Sequence, residues 1–297
     1  MSVVPNAKVV LLCGGQGTRM REETEFRPKP MVEVGGRPLL WHIMKLYGQA
    51  GLRDFVLCLG YRGQMIKQYF LEYQLHSSDV TFDLAGGGVE YGPRSAEDWR
   101  VTCADTGEHS MTGARVKRVE PYLDDADLVL VTYGDGVADL DIAELIAFHR
   151  SHGRLATVTG VHAPARFGQL AGDGIWVRQF AEKPLETGWI NGGFFVFERE
   201  VLELISPAPA CVLEHEPLEW LASHGQLAVY RHEGYWQCAD TLRDVELLRR
   251  LWDSGQAPWR TWDDRGSDGR GHPGRGRLES DWTVSPEALL RRRREAA

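Results

Sequence analysis

The 297 residues are 43% apolar, 10% aromatic and 26% charged, and 34 Lys+Arg against 42 Asp+Glu leave a formal net charge of −8. This is a globular composition, long enough for one large α/β domain or two small ones; no run nears the roughly 18 apolar residues of a membrane span, and residues 1–8 lack the basic start of a signal core. Five scattered cysteines, never in C-x-x-C spacing, argue against a disulfide framework or zinc site, and the acidic total argues against nucleic acid, so a soluble cytoplasmic protein is expected.

An apolar run from Val9 to Cys13, closed by Gly14-Gly15-Gln16-Gly17, predicts a short buried strand stopped by a glycine turn. Leu39, Leu40, Ile43, Met44, Leu46 and Tyr47 recur at helical spacing behind Pro38, a favoured first-turn residue. His42, inside that apolar stretch, reads as a packing residue. A strand over 54–60 and a helix over 66–75 follow. Strand, helix, strand, helix implies a parallel sheet with right-handed crossovers. Between 79 and 102, glycine and proline turn signals flank short β-like pieces at 80–82 and 99–102, which predicts an antiparallel excursion. The parallel pattern resumes with a strand over 128–133 ending at Gly134-Asp135-Gly136, a helix over 141–152 and a strand over 155–161. Short strands over 176–180 and 193–197, a helix over 213–223 and a last helix over 241–252 complete a single catalytic domain expected over 1–262. Residues 263–297 carry five glycines and eight arginines with few apolar side chains, and a disordered tail is expected there.

Three segments carry chemistry. In Gly14-Gly15-Gln16-Gly17-Thr18-Arg19, glycines let the backbone take positive φ and approach an anion, so that several N–H groups converge on phosphate oxygens, while Arg19 can close as a bidentate donor. It is neither the dinucleotide fingerprint, because Met20 stands where glycine is required, nor a P-loop. Nearby, prolines on both sides of Lys29 hold one ammonium on an extended segment. The second segment is Gly134-Asp135-Gly136, at a strand end where a parallel sheet places its ligands, although a turn-forming aspartate would look the same. Asp240 is its candidate partner for one Mg²⁺, or equally a cap for the last helix. The third is Glu182-Lys183-Pro184 with Asn191-Gly192-Gly193, in which Glu182 and Asn191 can meet sugar hydroxyls and Lys183 a phosphate.

Taken together, G-G-Q-G-T-R, P-K-P-M-V-E-V-G-G-R-P-L-L-W-H-I-M, T-Y-G-D-G-V-A-D-L-D, E-K-P, I-N-G-G-F-F-V and D-T-L-R-D resemble the sugar-phosphate nucleotidyltransferases over residues 7–262. S-S-D-V-T-F, S-M-T-G-A-R and Y-G-D-G-V-A-D resemble the cytidylyl branch in particular. The resemblance implies a Rossmann-like mixed, mostly parallel sheet flanked by helices, and transfer of CMP from CTP to α-D-glucose 1-phosphate. It implies a nucleotide site made of Leu12, Cys13, Gly14, Gly15, Gln16, Gly17, Thr18, Arg19, Lys29, Ser110, Arg115 and Gly134. It further implies Mg²⁺ on Asp135 and Asp240, a sugar-phosphate pocket made of Glu182, Lys183 and Asn191, and a homo-oligomer with the 79–102 excursion as a subunit contact. Cys13 and Met20 replace the usual alanine and leucine, both at tolerable size.

The chemistry needs no protein nucleophile. Catalytic roles fall to Arg19 for the leaving pyrophosphate, Lys29 for transition-state charge, Lys183 for the incoming phosphate and Asp135 for the metal. Two other readings stay open at this point: another triphosphate or sugar 1-phosphate on the same scaffold, or a silent nucleotide-sensing subunit.

Overall fold

The computed structural model describes residues 6–92, 97–163, 169–173, 176–181 and 188–262. Seven strands, β1 (Ala7–Leu12), β2 (Asp54–Leu59), β3 (Arg100–Asp105), β4 (Leu128–Tyr133), β5 (Ala156–Val161), β6 (Ile190–Glu198) and β7 (Leu227–Arg231), form one sheet in the order β7-β5-β6-β4-β1-β2-β3. β6 runs antiparallel to both its neighbours, and every other pairing is parallel. The central runs AKVVLL and LVLVTY are buried almost throughout, as strands covered on both faces must be. Alternation sorts their side chains: Val9, Leu11, Phe55 and Leu57 join one core, Val10, Val56 and Cys58 the other.

The first core is covered by α1 (Leu39–Gln49), which buries eight of its eleven residues, including His42, behind Pro38. Helices α2 (Gly63–Leu71), α3 (Thr112–Arg118), α4 (Ile142–His152), α5 (Glu216–Ser223) and α6 (Leu242–Asp253) complete the main flanking elements. Among the described residues, no helix is long and apolar enough to cross a membrane.

Several local expectations change. The piece expected at 99–102 in an antiparallel excursion is β3, a parallel edge strand of the main sheet; only Val80–Asp83 and Gly88–Tyr91 form a separate antiparallel pair. Alternation announces a strand but not its partner, and β2 offered an open edge against which Val101 and Cys103 reach the core. β7, α3 and the strand Gln169–Asp173, paired with Trp176–Ala181, were not foreseen. The helix expected over 66–75 begins at Gly63 and gives way at Glu72 to the short helix Tyr73–Ser77; the one expected over 213–223 starts at Glu216, with Pro217 in its first turn. The chain divides into the unit Met1–Asp263 and the unit Asp264–Ala297; the expected tail lies outside the described residues.

Candidate active site

β1 and β4 pair in register up to Leu12 and Tyr133, so the two turns that follow start side by side; the Gly134 N–H donates to the Leu12 carbonyl at 3.2 Å. A side chain at Gly134 would lie 2.7 Å from Pro30 Cγ and 3.0 Å from the Leu12 carbonyl oxygen, so only glycine permits this approach. The next residue, Asp135, faces Asp240 because a two-stranded ladder of Gly136–Ala138 with Trp236–Cys238 joins the two segments and the Ala239 N–H closes on the Asp135 carbonyl at 2.8 Å. Asp240 is not the helix cap. Thr241 caps α6 in a capping box with Asp244, which leaves the Asp240 carboxylate to the site.

Lys29 stands in the 3₁₀ turn Lys29–Met31, behind the extended Pro28. Its Nζ donates to Asp135 Oδ2 and to Asp240 Oδ1, each at 2.6 Å. Burial works against its charge, but Asp135 and the two hydrogen bonds outweigh that and hold its pKa above the ordinary lysine value. Asp135, Cys238 and Asp240 present ligand atoms all within 4.8 Å of one another. Burial pushes the Cys238 thiol well up, so the group's donors at neutral pH are carboxylate oxygens, which are hard ligands suited to Mg²⁺.

These residues open on a cavity of about 520 Å³. Of the residues expected to bind nucleotide, Leu12, Cys13, Gly14, Gly15, Gly17, Thr18, Lys29, Ser110, Arg115 and Gly134 line it, as do Asp135 and Asp240. Gln16 is exposed on the loop and does not line it. Arg115 and Ser110 are more committed than their sequence suggests. Arg115 is 4% exposed, and its guanidinium donates to the carbonyls of Leu59, Gly14, Gly107 and Glu108 and to Thr106 Oγ1, so it braces the glycine loop. Ser110 Oγ donates to the Thr106 carbonyl at 2.6 Å and accepts from Arg118 at 2.7 Å. Asn191 is not among the residues that line the cavity; its Nδ2 donates at 3.1 Å to the hydroxyl of Tyr133, which does line it. The Arg19 side chain and residues Glu182 and Lys183 lie outside the described part.

Pro30, Met111, Thr112 and Tyr133 line the cavity without having been singled out. For Tyr133 the signal was available: it is the last residue of a buried parallel strand, where such sheets hold ligands. Thr112 follows Ser110 by two residues within a quoted motif.

The nucleotidyl transferase family model matches residues 8–266. The chain is 52% identical over 257 residues to the glucose-1-phosphate cytidylyltransferase of Salmonella typhi, covering 86% of this chain and 100% of that one. It is 30% identical over 240 residues to the mannose-1-phosphate guanyltransferase of Schizosaccharomyces pombe, covering 77% and 60%. Among solved structures, HddC from Yersinia pseudotuberculosis, complexed with GMP-PN, superposes with a TM-score of 0.59 at 23% identity over 82% of this chain and 99% of that one, a likeness of fold.

Proposed function

The chain belongs to the nucleotidyl transferase family, and on that premise we propose that it transfers CMP from CTP to α-D-glucose 1-phosphate, giving CDP-glucose and pyrophosphate. The observation that carries this reading is the 52% identity across the whole length of a relative named for that activity. The cavity in which a glycine loop, a lysine and two carboxylates converge supports it.

A phosphate oxygen of glucose 1-phosphate attacks the α-phosphorus of CTP, the bond from that phosphorus to the oxygen bridging to the β-phosphate breaks, and pyrophosphate leaves with the electron pair. A phosphate monoester has its second pKa at about 6, so the attacking oxygen is already anionic at neutral pH and no protein base is needed. The work left to the protein is alignment of two polyanions and neutralisation of charge.

Asp135 and Asp240 would hold Mg²⁺, which when bound supplies Lewis-acid neutralisation of phosphoryl oxygens. Lys29 has three N–H donors, two of them engaged by the carboxylates, which leaves one for a phosphate oxygen. Its two prolines and two acceptors fix where that charge sits, so no reorganisation is needed as the transition state forms. Arg115 holds the glycine loop against β2 and α3, keeping the backbone close to the triphosphate. Arg19 for pyrophosphate, and Glu182, Lys183 and Asn191 for the sugar phosphate, enter the proposal from the motif resemblance. The same reading is of a cytoplasmic homo-oligomer; the exposure of Phe82, Leu84, Val89 and Tyr91 on the 80–91 hairpin supports a subunit contact there.

Incubation with Mg²⁺, glucose 1-phosphate and each of CTP, UTP, dTTP, ATP and GTP, read as pyrophosphate release, tests the proposal. Release with CTP at least tenfold above the others is expected; release with another triphosphate in preference to CTP would overturn it.

A further inference from the structure

Glu214 belongs to no sequence motif, yet its carboxylate receives hydroxyl hydrogens from two elements that line the cavity. Thr112 Oγ1, at the start of α3, donates to Glu214 Oε2 at 2.5 Å, and the Tyr133 hydroxyl, at the end of β4, donates to Glu214 Oε1. The Thr112 oxygen accepts the Leu213 N–H at 2.9 Å, which turns its hydrogen toward Glu214. The Tyr133 oxygen accepts Asn191 Nδ2 at 3.1 Å, and Asn191 Oδ1 accepts the Gly193 N–H at 2.8 Å. Gly193 has φ +81°, and a side chain there would lie 2.4 Å from the Tyr133 ring, so the contact of strand and ring requires glycine. Burial first, and then the negative charge of Glu214, push the Tyr133 pKa up, so the phenol stays protonated.

The direction of every bond in this chain follows. A carboxylate only accepts, so both hydroxyls must donate to Glu214. Tyr133 then has only lone pairs to offer Asn191, which fixes the amide with one N–H on Tyr133, its oxygen on Gly193, and its second N–H uncommitted by these contacts. A glutamine at 214 would break this order: it offers one acceptor oxygen, and its NH₂ would face a hydroxyl whose hydrogen points the same way.

We propose that Glu214 is a positioning residue for the sugar side of the site: it locks Tyr133 and, through Tyr133, the Asn191 amide in the orientation that presents one N–H to a sugar hydroxyl, and it ties that orientation to Thr112 on the nucleotide side. The proposal rests on the reading of Asn191 as a sugar contact. Charge-assisted hydrogen bonds of this kind are strong enough for their loss to be visible in kinetics.

Steady-state kinetics of Glu214→Gln, Tyr133→Phe, the double variant and Asn191→Ala, with melting temperatures alongside, test it. Each single change is expected to raise KM for glucose 1-phosphate by about tenfold while KM for CTP stays within about twofold, and the double variant to be no worse than the worse single one. Equal rises in both KM values, a multiplicative double variant, or unchanged kinetics in Glu214→Gln with Asn191→Ala impaired would overturn the positioning role alone. Unchanged KM in Asn191→Ala would remove the sugar-site reading itself and the proposal with it.

Discussion

Lys29 Nζ lies 2.6 Å from a carboxylate oxygen of Asp135 and 2.6 Å from one of Asp240, residues more than a hundred positions away along the chain on either account. One ammonium therefore joins the turn after β4 to the segment before α6. The arrangement places two negative charges on the wall of the cavity that the glycine loop also lines, with one fixed ammonium between them. Removing any one of the three unbalances the other two.

Asp135→Asn keeps the shape of the side chain but removes half of the carboxylate pair. With 23% side-chain exposure, Asp135 is accessible enough that the fold should tolerate the change. Turnover is expected to fall by about 10²–10³-fold, as for loss of one preorganised electrostatic group. Stopped assays at saturating Mg²⁺, with circular dichroism to verify the fold, check this; near-wild-type turnover would contradict the metal assignment.

For Lys29→Ala the informative quantity is the division between kcat and KM. A charge that meets the phosphates mainly as the transition state forms should lower kcat by about 10²-fold and leave KM for CTP nearly unchanged. A rise in KM with kcat intact would mean that Lys29 binds ground state and transition state alike.

Gly14→Ala tests the brace on the loop. A side chain at Gly14 would lie 2.1 Å from Arg115 Nη1. A surface arginine would swing aside, but this one is held by five acceptors, so either it or the loop must move. A loss of about 1–3 kcal/mol in urea unfolding is expected, as for other overpacked sites, with weakened CTP binding by calorimetry. Unchanged stability would show that the loop yields freely.

His42, which does not line the cavity, supplies a separate pH dependence. It is 1% exposed, its Nε2 donates to the Val34 carbonyl at 2.9 Å, its Nδ1 accepts from Trp259 at 3.4 Å, and burial brings its pKa down from 6.5 to about 4. The folded state thus keeps His42 neutral where the unfolded state protonates it. The sign follows: stability falls as pH drops below about 6.5 and stops falling through this group below about 4, by roughly 3 kcal/mol in total. Urea midpoints from pH 7.5 to 4 should be flatter in His42→Phe than in wild type; equal slopes would contradict the assignment.

Much of this was legible in the sequence, for reasons tied to particular residues. The buried runs at Val9 and Leu128 are long enough to announce central strands, and the glycines after each mark where the sheet presents its ligands. The parallel pairing of Arg100–Asp105 was not legible, because a six-residue alternation carries no information about its neighbour. β7 was missed since none of its five residues is fully buried and Val229 and Arg231 are exposed, so the edge strand carries no clear apolar signal. The meeting of Asp135 with Asp240 depends on a three-residue ladder that no local pattern announces. Glu214 had no signal at all: its role arises from two hydroxyls brought to it by the fold.

The central claim is that a phosphate oxygen of glucose 1-phosphate becomes bonded to the α-phosphorus of CTP as pyrophosphate leaves. It is tested most directly with glucose 1-phosphate carrying ¹⁸O on its phosphate, incubated with CTP and Mg²⁺ and followed by mass spectrometry of both products. The account predicts CDP-glucose retaining all of the label and pyrophosphate carrying none. Label in pyrophosphate, or pyrophosphate released without CDP-glucose, would contradict it.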